Sequence, residues 1–125
     1  VLTPSRGACD LLDRSASLAW MQSHKPDMVV HCAAATGGVG WNNTHAYAAF
    51  RDDLLLTLHL VDACIDCGVQ HVTHISTSIA YPPTAEVPFE ETSLWKGRPD
   101  GPTAPKAPAK RPPEKREILL AKQVR

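Results

Sequence analysis

Two short apolar runs on either side of one long helical pattern constrain this chain more than any other feature of its sequence. The first run, residues 28–34, is a short and mostly apolar stretch of the kind found in strands buried on both faces. From about Asn43, apolar residues recur at steps of three and four, which predicts one face of a helix: Tyr47, Phe50, Leu54, Leu58, Val61 and Ile65. Gly68 fits the left-handed residue that ends such a helix, and residues 69–76 predict the second strand.

A further helical pattern precedes the first strand. It covers residues 14–24, with Asp13 as its N-cap, and Pro26 breaks the chain after it. The alternation of helices and strands predicts an α/β fold, a doubly wound parallel sheet covered by helices. In such sheets ligands bind beyond the carboxyl ends of the strands. We therefore expect a site at the polar loops 35–43 and 76–85.

Composition limits the classes of function. The chain has 125 residues, enough for one small domain, and its thirteen basic and thirteen acidic residues cancel. This balance argues against nucleic acid and against an anionic membrane surface as partners, and the apolar runs are too short to cross a bilayer. We expect four reduced cysteines and a cytoplasmic location, because no signal peptide opens the chain. No initiator Met is present, so we expect the natural start to lie upstream.

The character of the chain changes towards its end. Residues 96–116 are rich in proline and basic residues, and Pro105 and Pro108 would interrupt a helix. We expect a last helix that starts at Pro112 and runs to Val124. The predicted organisation is one domain over residues 1–95, followed by a segment over 96–125 that is either a solvated tail or a contact for an acidic partner.

The loop after the first strand leaves two readings open. Gly37, Gly38 and Gly40 either let the backbone approach a ligand closely or form a mobile loop, and the position beside a strand end favours the ligand. For Asn42 and Asn43 we expect a helix cap rather than contact with a ligand.

Several short motifs, taken in order, resemble those of the GDP-L-fucose synthases. These enzymes are extended short-chain dehydrogenases of the NAD-dependent epimerase/dehydratase type. The similarity extends from Val1 to about Arg111. The motifs are His-Cys-Ala-Ala at 31–34, Gly-Gly-Val at 37–39, Asn-Asn-Thr at 42–44, Ser-Thr-Ser-Ile-Ala-Tyr-Pro at 76–82 and Pro-Phe-Glu-Glu at 88–91.

The resemblance implies an activity and an architecture. Enzymes of this family epimerise a GDP-4-keto-6-deoxy sugar and then reduce it with NADPH. The implied fold is a partial Rossmann-like domain that lacks the first βαβ unit and the C-terminal substrate domain. A GDP-sugar substrate, an NADP cofactor and a family-type homodimer follow from the same resemblance.

The resemblance also assigns roles to residues around the cofactor. Asp10 and Leu11 correspond to the element that meets the adenine ring, and a helix cap or solvated turn is an equally good interpretation of Asp10. Ala33 and Ala34 correspond to the small residues over which the cofactor passes. The remaining positions assigned to the cofactor follow the second strand and are Ile75, Ser76, Thr77 and Ser78, together with Lys110.

The implied catalytic residues are Thr77 and Lys110. Hydride transfer to a carbonyl carbon forms an alkoxide, so a reductase needs a proton donor near that oxygen. In the family a Ser or Thr hydroxyl holds the oxygen, which places Thr77 in that role. A Tyr gives the proton, and a Lys four residues later, here Lys110, lowers the Tyr pKa and binds the nicotinamide ribose.

The sequence departs from the family at several of these positions. Lys106 stands at the Tyr position and Ile79 at that of a Cys used in epimerisation. Thr3 stands where relatives often carry an Arg that binds the 2′-phosphate of NADP, and the nearby Arg6 is a candidate to replace that Arg. We therefore expect no reductase activity from this chain alone.

Two alternative functions stay open. One is a non-catalytic relative that serves as a binding or scaffold module. The other is a sibling nucleotide-sugar epimerase or dehydratase, against which the Gly37-Gly38 and Asn42-Asn43 pairs speak.

Cysteine and histidine spacings suggest neither redox nor metal chemistry. Cys64 and Cys67 have redox spacing, but they lie at the end of a helix, whereas a helix N-terminus is what lowers a thiol pKa. His71 and His74 fall on opposite faces of the predicted strand. We therefore expect no bound metal.

Overall fold

A computed structural model describes residues 1–100, 104 and 107 of the chain. The regular elements are α1 (Arg14–His24), β1 (Met28–His31), α2 (Val39–Thr44), α3 (Ala46–Asp66), β2 (His71–His74) and 3₁₀ turns at Ser78–Ala80 and Glu91–Ser93. β1 and β2 are parallel, which confirms the predicted α/β class. The last helix expected behind Pro112 lies outside the described residues.

Helix α1 begins and ends where the sequence predicts. The Asp13 carboxylate accepts hydrogen bonds from the backbone amides of Ser15 (2.8 Å) and Ala16 (3.1 Å), which confirms it as the N-cap. The helix ends at Lys25, whose φ of 43° is left-handed and whose amide donates to the Met21 carbonyl oxygen. Pro26, which cannot continue the helix, follows directly.

The strands are shorter than predicted, and β1 is covered on one face only. Pairing is limited to four register pairs, from Met28 with His71 to His31 with His74, so the boundaries 28–34 and 69–76 are wrong. Burial on both faces is also wrong, because Met28 and Val30 are 60% and 52% exposed. The physical reason is that the helices contact the opposite face, where Val29 packs against the core.

The chain consists of two compact units, each with most of its contacts within itself. The described part of unit 1 comprises residues 1–33 and 55–74, and that of unit 2 comprises residues 34–54 and 75–107 with the gaps stated above. The core of unit 1 is formed by buried residues of α1, α3 and the segment just before β2: Met21, Leu60, Ala63, Cys64 and Val69. Unit 2 has a small core of Ala80, Leu94 and Ala107 with Tyr81 packed against it. The division at residue 95 stays a prediction.

Helix α3 confirms the predicted helix but buries a different face. None of the apolar stripe predicted from the sequence is fully buried: three of its residues are exposed and three half-buried, in that order Tyr47, Leu54 and Leu58, and Phe50, Val61 and Ile65. The buried positions are Ala49, Asp53, Leu56, Leu60, Ala63 and Cys64. Gly68 ends the helix with φ 69°, as predicted. Of the helices in the described ranges, none has the length and apolarity that crossing a membrane requires.

Candidate functional site

The carboxyl ends of β1 and β2 lie side by side, where a parallel sheet places its ligand site. His31 and His74 are the last register pair of the sheet. His31 is 3% exposed, and its Nε2 lies 3.2 Å from Oγ1 of Thr57 on α3. This contact links the last residue of β1 to α3, so the backbone that leaves the strand starts from a fixed point.

Small exposed residues follow β1. Ala33 and Ala34 come two and three residues after the strand ends, and both are exposed. Neither methyl group is used in packing a core, and a ribose or a flat ring can lie against such a surface without displacing a side chain. The two alanines therefore fit the role in cofactor binding that the resemblance assigns to them.

The loop after Ala34 is held by side chains of α2 and α3. The Asp53 carboxylate accepts from the Ala35 amide at 2.6 Å, and the Asn42 side-chain amide donates to the Gly37 carbonyl oxygen at 3.1 Å. A methyl group on Gly37 would stand 2.9 Å from the Trp41 side chain, so any larger residue there would force Trp41 or the loop to shift. The loop backbone is therefore held by hydrogen bonds at Ala35 and Gly37. That a ligand approaches this backbone closely stays a prediction.

Two predictions about this region are wrong. Residues 39–44 form α2, so Gly40 lies in a helix rather than in the loop. Asn42 does not cap α3, which begins at Ala46 after a break at His45, and its side chain instead reaches back to the loop. Local sequence did not reveal this because the capping preference of Asn describes a helix start, whereas Asn42 lies inside the preceding helix.

The segment after β2 presents hydroxyl groups. Ser76 and Ser78 are exposed, Thr77 is half-buried, and Ile75 is 48% exposed. Thr77 has an extended backbone (φ −147°, ψ 147°) directly before the 3₁₀ turn, and its side chain does not cap that turn. The hydroxyl of Thr77 is therefore not committed to the turn that follows it.

Asp10 and Leu11 have structural partners in unit 1. Asp10 Oδ1 accepts from the Leu12 amide at 3.0 Å, and Oδ2 lies 3.5 Å from Nε of Arg6. The Leu11 side chain packs against the core, and its carbonyl oxygen accepts from His59 Nδ1 at 2.9 Å. These contacts support the turn reading of Asp10, and its role at the adenine ring stays a prediction.

The thiols and histidines add no second site among the described residues. Burial, followed by the neighbouring Cys67, raises the pKa of Cys64 to about 11, so its thiolate is scarce at neutral pH. His71 is exposed and His74 half-buried, which confirms that they face opposite ways. Across residues 1–100, 104 and 107, no group of three metal-ligating side chains converges.

Unit 2 contains a cavity of about 420 Å³ that includes none of the predicted site residues. Its lining is Pro82, Thr84, Ala85, Glu86, Val87, Pro88, Glu90, Ser93 and Lys96. Of the predicted site residues, Asp10, Leu11 and Ala33 lie in unit 1, whereas Ala34 and residues 75–78 lie in unit 2. Lys110, and Lys106 at the Tyr position, lie outside the described residues.

Comparison with known proteins decides the family. The model of the NAD dependent epimerase/dehydratase family matches residues 4–111. The chain belongs to this family. Similar curated proteins include a probable GDP-L-fucose synthase 1 of Oryza sativa subsp. japonica, 32% identical over 98 residues, which are 78% of this chain and 30% of that protein. GDP-L-colitose synthase of Yersinia pseudotuberculosis is 23% identical over 96 residues, 77% of this chain and 31% of that protein.

Solved structures of epimerase/dehydratase relatives confirm a Rossmann-like fold. A GDP-L-fucose synthetase from Naegleria fowleri bound to NADP superposes with a TM-score of 0.78 at 26% identity, over 86% of this chain and 32% of that one. UDP-glucose 4-epimerase of Thermus thermophilus in complex with NAD gives 0.58 at 28% identity, over 80% and 31% of the two chains. The chain spans about a third of the length of the curated relatives it matches.

Proposed function

We propose that this chain is a nicotinamide-cofactor-binding part of an NADP-dependent epimerase/reductase that acts on a GDP-4-keto-6-deoxy sugar. The observation that carries the proposal is the pair of exposed small residues, Ala33 and Ala34, directly after β1 in a chain of the epimerase/dehydratase family. The NADP-bound GDP-L-fucose synthetase with the same fold supports the choice of cofactor.

The chain's own residues account for part of the chemistry. When bound, the nicotinamide supplies a hydride to the carbonyl carbon of the sugar. We assign Thr77 to hold the sugar oxygen, because its half-buried hydroxyl follows β2 and does not cap the 3₁₀ turn. Lys110 is proposed to bind the nicotinamide ribose. Ile75, Ser76 and Ser78 flank Thr77 in the proposed cofactor contact.

The family has its proton donor, a tyrosine, four residues before the lysine that corresponds to Lys110. In this chain that position is Lys106. Protonation of the alkoxide is the step that this replacement removes. We therefore propose that the chain binds NADPH and does not turn over the keto sugar by itself. Incubation with GDP-4-keto-6-deoxymannose and NADPH should leave the absorbance at 340 nm constant, and NADPH consumption that depends on the sugar would contradict this.

Calorimetric titration with NADPH tests the cofactor site. We expect a dissociation constant in the micromolar range, about −8 kcal/mol of binding free energy. Ala34→Phe should abolish binding by filling the surface beside the strand end. Ala19→Phe is the matched control, since Ala19 is exposed on α1. Equal affinity in the two variants would place the cofactor elsewhere.

The choice between NADP and NAD is proposed to depend on Arg6. This side chain is exposed and its guanidinium lies near Asp10 in unit 1. Arg6→Ala should weaken NADPH binding and leave NADH binding unchanged, because only NADPH carries the 2′-phosphate. Equal losses for both cofactors would assign Arg6 a structural role.

Two other functions predict different results. A non-catalytic scaffold would bind neither NADPH nor NADH. A sibling epimerase would share the fold of UDP-glucose 4-epimerase, but the TM-score of 0.58 against 0.78 for the GDP-L-fucose synthetase favours the latter relationship.

A further inference from the structure

Asp53 is a buried carboxylate that the family resemblance does not assign to the site. Its side chain is 1% exposed, on the inner face of α3, among apolar neighbours in sequence such as Leu54 and Leu55. Burial of a carboxylate costs several kcal/mol unless hydrogen bonds or charges compensate it. A leucine or alanine at this position would continue the helix without that cost, so the buried carboxylate calls for an explanation.

The hydrogen bond to Ala35 indicates that role. Asp53 Oδ1 accepts from the Ala35 amide at 2.6 Å, across 18 residues of sequence and within unit 2. A charged acceptor makes a shorter and stronger hydrogen bond to a backbone amide than a neutral one. Ala35 directly follows Ala34, so the carboxylate fixes the backbone at one of the proposed cofactor residues.

A second hydrogen bond restricts the backbone of the same loop two residues later, at Gly37. The Asn42 side chain, 5% exposed, donates to the Gly37 carbonyl oxygen. The hydrogen bonds between α3 and Ala35 and between α2 and Gly37 restrict the loop backbone at both positions. A binding surface that is ordered before the ligand arrives avoids the entropic cost of ordering on binding, and its affinity is higher for that reason.

We propose that Asp53 is a positioning residue that holds the backbone after β1 in the conformation that accepts the nicotinamide cofactor. This inference rests on the proposed function. Asp53 does not touch the cofactor in this scheme; it acts through the Ala35 amide. Replacement by a side chain without an acceptor leaves that amide unbonded and the loop free to move.

Titration of three variants with NADPH tests the proposal. Asp53→Leu should weaken binding about tenfold or more, since misplaced contacts of a binding site are costly. Asp53→Asn keeps an acceptor oxygen and should stay within about threefold of the original affinity. Leu56→Ala, one turn further along the buried face of α3, is the control for loss of stability. It should lower the melting temperature and leave the affinity of the folded fraction unchanged.

Amide hydrogen exchange without cofactor separates this inference from the proposed function. The Ala35 amide should exchange about ten times more slowly than that of exposed Gly38, and Asp53→Leu should remove the difference. Equal exchange rates at the Ala35 and Gly38 amides of the unmodified chain would overturn the proposal. This measurement does not depend on whether a variant folds. Unchanged NADPH affinity in Asp53→Leu would also overturn it. Failure of the unmodified chain to bind NADPH, with Ala35 protected, would instead refute the cofactor site.

Discussion

The imidazole rings of His31 and His74 lie 5.0 Å apart, centroid to centroid, with their planes tilted by 37°. They are the last residues of two parallel strands and face the same side of the sheet. His31 in turn meets the Thr57 hydroxyl of α3. At its carboxyl end the sheet therefore makes aromatic and polar side-chain contacts, whereas the preceding pair Val29 and Val72 packs against the apolar core.

Thr57→Val should lower the free energy of unfolding by about 1 kcal/mol, because it removes the hydroxyl beside the buried His31 ring and keeps the side-chain volume. Thr57→Ser retains the hydroxyl and is the control. Urea denaturation followed by circular dichroism measures both. If the Val variant is as stable as the original chain, the hydrogen bond at 3.2 Å contributes nothing to folding.

Gly37→Ala should destabilise the chain by about 1–3 kcal/mol, since its methyl group would overlap the Trp41 side chain. Gly38→Ala is the matched control, because nothing lies within 4 Å of a methyl group there. Thermal unfolding and tryptophan fluorescence report the effect. Trp41→Ala should suppress it, and a double variant as unstable as Gly37→Ala alone would argue for a cause other than this contact.

Alkaline pH should destabilise the chain through Cys64. Its thiol has a pKa of about 11 in the fold against an ordinary value of 9.0, because burial disfavours the thiolate. The unfolded chain therefore releases this proton first, so the stabilising contribution is complete below pH 9 and is lost as pH rises towards 11.

Urea denaturation between pH 8 and pH 11 on the original chain and on Cys64→Ala isolates this contribution, because other groups that titrate there are common to both. We expect the stability difference between the two to shrink by on the order of 2 kcal/mol. A constant difference would contradict the raised pKa of this thiol.

Asp13→Ala should cost about 1 kcal/mol of stability, because the amides of Ser15 and Ala16 lose their acceptor. Asp13→Asn, which still caps, should retain most of it. Asp27→Ala provides a second control at an exposed aspartate outside the helix. Thermal melts compare the three, and an equal loss for positions 13 and 27 would assign the effect to net charge.

We propose that the family-type homodimer forms through the exposed face of α3. Tyr47, Leu54 and Leu58 are exposed at steps of seven and four, which places an apolar stripe on the outer face of this helix. Sedimentation should show dimers that Leu58→Glu converts to monomers, whereas Val87→Glu, at an 84% exposed position, leaves them intact. A monomeric original chain would refute the dimer.

The sequence determined the order of α1, β1, α3 and β2, the ends of α1, the left-handed residue at Gly68 and membership of the epimerase/dehydratase family. These follow from periodicity, caps and short motifs, all of which act over a few residues. Only the tertiary structure decided which face of α3 is buried, because this helix is apolar on both sides and contacts with distant residues choose between them. The same contacts bury Asp53 and Asn42 against a loop up to 18 residues away, a distance over which local pattern carries no signal.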